Sequence, residues 1–246
     1  MTVEELAAEN WYGYGRWNAP YWFIGPEPGK AKKEGENLLA RCRAWLDLCP
    51  NGPQSGGLID SRDHHARFNR LEFFVPEHGK KRVPTQNTWR QLIRLLLAYE
   101  NKPYDNECIA KYQAEKWGRR DGETCVAELS ALAMNKLSQT QKLRDKFRMA
   151  RTMYLSKKIA ETRPDFVVMY GGGKRTRRWW QMIACGNANG DCFESRELLG
   201  WTAYLTIRSS TVFVVSKHPV NPGGASPPDD YWIAIANEIK LRRKDR

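Results

Sequence analysis

Short, bulky apolar runs that stop abruptly at glycine or proline turns constrain this chain more than any other feature. Pro20 to Ile24 has the length and composition of a fully buried strand, and it runs into Gly25-Pro26-Glu27-Pro28-Gly29. Phe166 to Tyr170 is a second such strand, closed by Gly171-Gly172-Gly173. Thr211 to Val215 is a third, followed by Ser216-Lys217-His218-Pro219. Val126 to Met134 is ambiguous by period, but a short apolar run ending at Asn135 suits a fourth. Trp201 to Ile207 alternates and is expected to pair with its neighbour.

Helical patterns lie between these runs. Thr2 to Glu9 reads as a short helix with Thr2 as N-cap and Glu5 completing a capping box. Lys30 to Leu48 places Leu38, Leu39, Cys42, Trp45 and Leu46 at helical spacing, and Gln86 to Tyr99 carries a wide apolar face from Leu92 to Leu97. Leu143 to Thr162 is rich in Lys and Arg and stops before Arg163-Pro164, as the restriction on a residue preceding proline favours. Lys174 to Ala184 and Asp229 to about Arg242 complete the set. The aromatic stretch Trp11 to Trp17 is expected to pack on the sheet, and Phe73 to Val83 to form an exposed loop or hairpin. Alternation of strand and helix predicts an α/β fold with a parallel sheet covered on both faces. One domain over residues 1–246, with an insertion around 50–125, is the simplest organisation.

The 246 residues suffice for a sizeable core. There is no apolar run of membrane-spanning length and no basic-then-apolar leader, so a cytoplasmic location without a membrane partner is expected. Six cysteines form no C-x-x-C pair and are expected to be free thiols, with a metal or iron–sulfur site as the other reading. Lys and Arg total 40 against 28 acidic residues, a formal charge of +12, which points to a polyanion such as nucleic acid. A solvated basic surface or a membrane-adsorbing face is the alternative. Ten tryptophans and ten tyrosines favour nucleic acid, because aromatic rings among cations suit base stacking beside phosphates.

Glu27 and His218 each sit just past the carboxyl end of a strand, where open α/β sheets place their ligands. A carboxylate and an imidazole facing one cleft form an acid/base or charge-stabilising pair. Taken singly, Glu27 also suits a capping residue in a tight turn, and His218 a surface histidine beside a proline. Gly171-Gly172-Gly173-Lys174 follows a strand and opens a helix, a geometry suited to phosphate, although it lacks the Walker spacing and also suits a plain turn. Asp60, Asp63, His64 and His65 form the densest polar cluster. It is a loop anchor, a hydrogen-bonding element of the cleft, or a metal site, the last disfavoured by the adjacency of the histidines.

Gly25-Pro26-Glu27-Pro28-Gly29 resembles the first active-site motif of the uracil-DNA glycosylase superfamily. His218-Pro219-Val220-Asn221-Pro222 resembles its second, an H-P-S-P type loop. Leu132-Ala133-Met134-Asn135 is similar to the strand whose terminal asparagine reads the base, and Val167 to Gly171 to the central strand and its glycine turn. The matches fall in family order over most of the chain. The resemblance implies a three-layer α/β/α sandwich around a central, mostly parallel sheet of four to five strands. It implies a monomeric, monofunctional DNA glycosylase with no cofactor or metal, which flips out a modified or damaged pyrimidine and leaves an abasic site.

In that reading Glu27 and His218 are catalytic. Glu27 stabilises the oxocarbenium-like sugar and orients water, and His218 donates to the base oxygen. Gly25, Pro26, Asn135, His65 and the stacking aromatic Phe68 bind the substrate, with Phe73 and Phe74 as other stacking candidates. Lys30, Gly172, Lys174, Arg175, Lys217, Asn221 and Gly223 contact DNA. Glu27 stands where the family has Asp or Asn, and Val220 where it has the phosphate-contacting serine. The substrate is then uracil-like or a bulky modified phage cytosine, the latter linking the chain to antiviral defence. A non-catalytic nucleic-acid-binding protein that retains the fold is the alternative. A lyase using Lys30, Lys136 or Lys217 is a further one.

Overall fold

The structure, a computed structural model, describes residues 2–26, 34–49, 57–76, 82–130, 141–171, 174–186, 192–220 and 224–244. Helix α1 (Val3–Asn10) begins as the capping box predicts: the Glu5 N–H donates to Thr2 Oγ1, and the Thr2 N–H donates to the Glu5 carboxylate at 2.8 Å. The chain continues directly into β1 (Trp11–Gly15) and β2 (Tyr21–Gly25), then α2 (Glu34–Asp47), β3 (Gly57–Ile59) and α3 (Ser61–Arg67). Helices α4 (Asn87–Tyr99) and α5 (Asn106–Glu115) precede β4 (Thr124–Glu128), α6 (Gln141–Thr162), β5 (Phe166–Tyr170) and α7 (Lys174–Cys185). Strands β6 (Glu194–Leu198), β7 (Trp201–Arg208) and β8 (Thr211–Ser216) lead to α8 (Asp229–Lys244).

All eight described strands join one sheet in the order β3-β1-β4-β2-β5-β8-β7-β6. The sheet is mixed and wider than the mostly parallel sheet of four to five strands expected from the sequence. Its middle is parallel, with β2 lying between β4 and β5, and β8 next to β5. Its margins are not: β1 runs antiparallel to β4, while β7 pairs antiparallel with both β8 and β6. The excess comes from aromatic and charged segments. Trp11 to Gly15 is part of the sheet rather than packed on it, and the exposed Glu194 to Leu198 forms its far edge.

Alternation along each strand splits the core in two. Phe23, Val126, Phe166, Val168 and Val214 join α4 and α8 on one face, and Trp22, Ile24, Val167, Met169 and Phe213 join α6 and α7 on the other. Helix α4 packs most closely on α8, where buried Arg94 pairs with Asp229 at 2.9 Å. Further expectations are corrected here. Strand β4 covers Thr124–Glu128, so it ends well before Asn135, which lies outside the described residues. Phe74 and Val83 are buried, not parts of an exposed loop. Cys185 and Cys192 are disulfide-bonded, tying the end of α7 to the approach to β6, whereas Cys42, Cys49, Cys108 and Cys125 are free. Among the described residues no helix is long and apolar enough to cross a membrane.

Candidate active site

The carboxyl ends of the four central strands form a row. Glu128 closes β4 and pairs with Gly25, the last residue of β2, while Tyr170 at the end of β5 pairs with Ser216 of β8. Because the strand period is two, Glu128, Gly25, Tyr170 and Ser216 fall on the same face, above Val126, Phe23, Val168 and Val214. Gly25 leaves a gap in this row, and its neighbours fill it. A Cβ there would lie 2.4 Å from Glu128 Oε2 and 2.4 Å from the Tyr170 hydroxyl oxygen. Any side chain at position 25 therefore displaces a carboxylate and a phenol.

The next layer outward joins the two proline loops. Gly171 has φ +83°, and a Cβ on it would lie 3.1 Å from Pro26 Cγ and 3.8 Å from His218 Cδ2. The His218 and Tyr170 rings meet edge to face, their centroids 5.4 Å apart. The Val220 N–H lies 3.1 Å from His218 Nδ1, and the Val220 carbonyl lies against the same nitrogen. The tautomer decides which contact is a hydrogen bond: a bare Nδ1 accepts from the N–H, and a protonated Nδ1 donates to the carbonyl. Burial lowers the His218 pKa from its ordinary value, so the imidazole is neutral at pH 7. Lys217 beside it is exposed.

Arg151 of α6 holds this edge from behind. It is 1% exposed, and its Nε and Nη2 donate to the Glu128 carbonyl at 3.0 and 2.7 Å. Its Nη1 donates to the Ala8 and Trp11 carbonyls at 3.3 and 2.6 Å, and its guanidinium lies 4.2 Å from the Tyr12 ring centroid. Burial pulls its pKa down to about 10, which leaves it charged at neutral pH. Sequence reasoning missed Glu128, Tyr170 and Arg151. A signal existed for Glu128, since a lone carboxylate interrupts the apolar run read as a strand to Met134.

The structure brings Gly25, Pro26 and His218 together and leaves Phe68 and His65 elsewhere. Strand β3 is parallel to β1 and so runs opposite to β4, and the chain leaves it at the other edge of the sheet. There the Ser61 N–H donates to the Gly118 carbonyl, and Asp60 caps α3 and pairs with Arg119 at 2.8 Å. Phe68 lies against the His64 and His65 rings, at centroid distances of 4.9 and 5.0 Å. Glu27, Lys30, Asn135, Gly172, Asn221 and Gly223 lie outside the described residues, as does Lys136. Lys174 and Arg175 open α7, with their side chains also outside them.

The two adjacent histidines are built into an aromatic cluster. The Arg41 carbonyl can only accept, so His64 Nε2–H donates to it at 2.9 Å, and Nδ1 accepts from the Tyr14 hydroxyl at 3.0 Å. His65 Nδ1–H donates to the Ser61 carbonyl at 2.7 Å. Burial drives their pKa values down to about 3 and about 4 respectively. Both are thus neutral in the folded chain, while in the unfolded chain they take up protons below about pH 6.5. Stability is fully present above that pH and is lost as pH falls toward the folded values, by about 1.4 kcal/mol per pH unit for each histidine. The unfolding free energy is expected to fall by about 3 kcal/mol from these two groups between pH 6.5 and 5. Denaturant titration should show His65→Phe cutting that pH-linked loss by about half, and an unchanged slope refutes the assignment.

A scan against protein-family models and a search of curated protein sequences each returned no match.

Proposed function

We propose that this protein is a DNA glycosylase of the uracil-DNA glycosylase type, which flips a modified or damaged pyrimidine into the strand-end site and hydrolyses its N-glycosidic bond. The observation that carries this reading is the meeting of Pro26 and His218 across Gly171, because it joins the two motif loops from opposite ends of the sequence. The run of four adjacent parallel strands β4-β2-β5-β8 at the middle of the sheet supports it. So does the formal charge of +12, which suits a phosphate backbone.

In the reaction the oxygen of a water bonds to C1′ as the C1′–N1 bond breaks, and the electron pair departs with the base. Glu27, next in the chain after Pro26, has the role of stabilising the positive sugar and taking the proton of the water. His218 meets the negative charge growing on the base oxygen. Donation to that oxygen requires the proton on Nε2, the tautomer in which Nδ1 accepts from the Val220 N–H; the tautomer that donates from Nδ1 to the Val220 carbonyl leaves Nε2 an acceptor.

The test is release of free bases from duplex and single-stranded DNAs containing uracil, mismatched thymine, hydroxymethylcytosine and glucosylated hydroxymethylcytosine, read by mass spectrometry. Release of any one with a matching abasic site supports the reading. DNA binding without release from the whole panel overturns it and leaves a non-catalytic binder.

A further inference from the structure

We infer that Tyr231 is a positioning residue for His218: its buried hydroxyl replaces a backbone hydrogen bond between Thr202 and Lys217, and so sets where the chain leaves the sheet just before the imidazole. The inference rests on the glycosylase reading and deepens it, because it names a residue that acts on the proposed chemistry through His218. Strands β7 and β8 form a hairpin that turns at Ser209 and Ser210, whose φ values are +46° and +76°. Arg208 pairs with Thr211 at the closed end, and the pairing continues to Tyr204 and Val215. In a two-residue hairpin the closing pair exchanges both backbone hydrogen bonds, and every second pair does so again. Thr202 and Lys217 come next in that series. The pairing nevertheless stops at Tyr204 and Val215, although β7 still pairs with β6 through Thr202 and Trp201.

The phenol of Tyr231 fills that place. It donates to the Thr202 carbonyl at 3.4 Å and accepts from the Lys217 N–H. Burial raises its pKa above the ordinary value, so it keeps the proton it donates. Tyr231 stands in the first turn of α8, fully buried, with its ring edge to face against Trp232 at 5.3 Å. An oxygen inserted between donor and acceptor widens their separation from about 3 Å to roughly 5–6 Å. The sheet therefore forks: β8 keeps β5 through Ser216 and Tyr170 while it parts from β7. His218 follows at once, against the Tyr170 ring and across Gly171 from Pro26. A direct bond from Lys217 to Thr202 would instead hold the chain along β7 and carry the imidazole away from those partners.

The test measures single-turnover base release on whichever of the uracil, mismatched-thymine and hydroxymethylcytosine duplexes the wild type acts. Tyr231→Phe is expected to slow release by about ten- to a hundredfold with DNA affinity unchanged, the scale of a misplaced catalytic group. In a His218→Ala background the same change should cost less than about twofold, because a residue acting through another adds nothing once that other is gone. An equal loss in both backgrounds overturns the inference and leaves the glycosylase reading intact. Two measurements by nuclear magnetic resonance need no base release. The His218 ring, identified by its loss in His218→Ala, should titrate below the ordinary histidine range in the wild type and move back toward it in Tyr231→Phe, as the loosened loop admits water. An unmoved titration overturns the inference. In the wild type alone, the Lys217 amide should exchange with deuterium about a hundredfold or more slowly than an unbonded amide, and fast exchange overturns it whether or not the variant folds. A wild type that releases no base removes the glycosylase reading, and the titration then decides whether Tyr231 sets His218.

Discussion

Replacing His218 with alanine is expected, on the proposed glycosylase reading, to slow base release by about a hundred- to a thousandfold, the range seen when one preorganised donor to a developing oxyanion is removed. The expectation follows from how the ring is held. Val220 lies against Nδ1, Tyr170 packs against the ring, and Gly171 allows it to approach Pro26, so the ring is held before substrate arrives. Such a donor costs little reorganisation when charge builds on the base. Affinity for DNA should change little, because that affinity is carried mainly by contacts to phosphate. The two effects separate in single-turnover rates and filter binding measured on the same duplex. The lowered pKa of His218 sets a further sign: the neutral ring persists at neutral pH, and imidazolium forms only as pH falls below the usual histidine range. A loss smaller than tenfold rules out the donor role.

Replacing Arg151 with methionine should destabilise the chain by roughly 3 kcal/mol or more, because each buried carbonyl left without its donor costs about 1–3 kcal/mol. Methionine fills the volume but strands the carbonyls of Ala8, Trp11 and Glu128, which accept from the guanidinium inside the protein. These carbonyls belong to α1, the start of β1 and the end of β4, so one side chain joins three segments. Thermal unfolding should fall by roughly 10 °C or more at this chain length. A fall of less than about 1 kcal/mol shows that water replaces the guanidinium.

The sequence was most legible where a local rule decides the outcome. Thr2 and Glu5 specify a helix start through their own side chains, and α1 begins there. Phe166 to Tyr170, bounded by Pro164 and Gly171, has clean ends and appears with the expected limits. The meeting of the Pro26 and His218 loops was readable because each follows a strand whose end is sharp. The rest depended on pairings that no local signal encodes. Strand β1 contains three aromatics and two glycines, which give neither alternation nor a β-branched run, so only its partners β3 and β4 identify it. Strand β4 shares its apolar character with the residues after it, and period alone could not find its end. The two histidines looked polar in sequence, yet both His64 nitrogens and His65 Nδ1 are hydrogen-bonded inside an aromatic cluster at the opposite edge of the sheet.

The order of the central strands also decides when the protein becomes competent. Trp22 pairs with Cys125 on one side and with Val167 on the other, so both neighbours of β2 arrive from distant parts of the chain. Closing such loops costs chain entropy before any contact rewards it, and folding dominated by them is slow. The hairpin of β7 and β8, turning at Ser209-Ser210, is a local pairing that can form early. It carries His218 only as a passenger until β8 docks on β5. Because His218 stands 218 residues along a sequence of 246, these strand ends converge only once most of that sequence has been made.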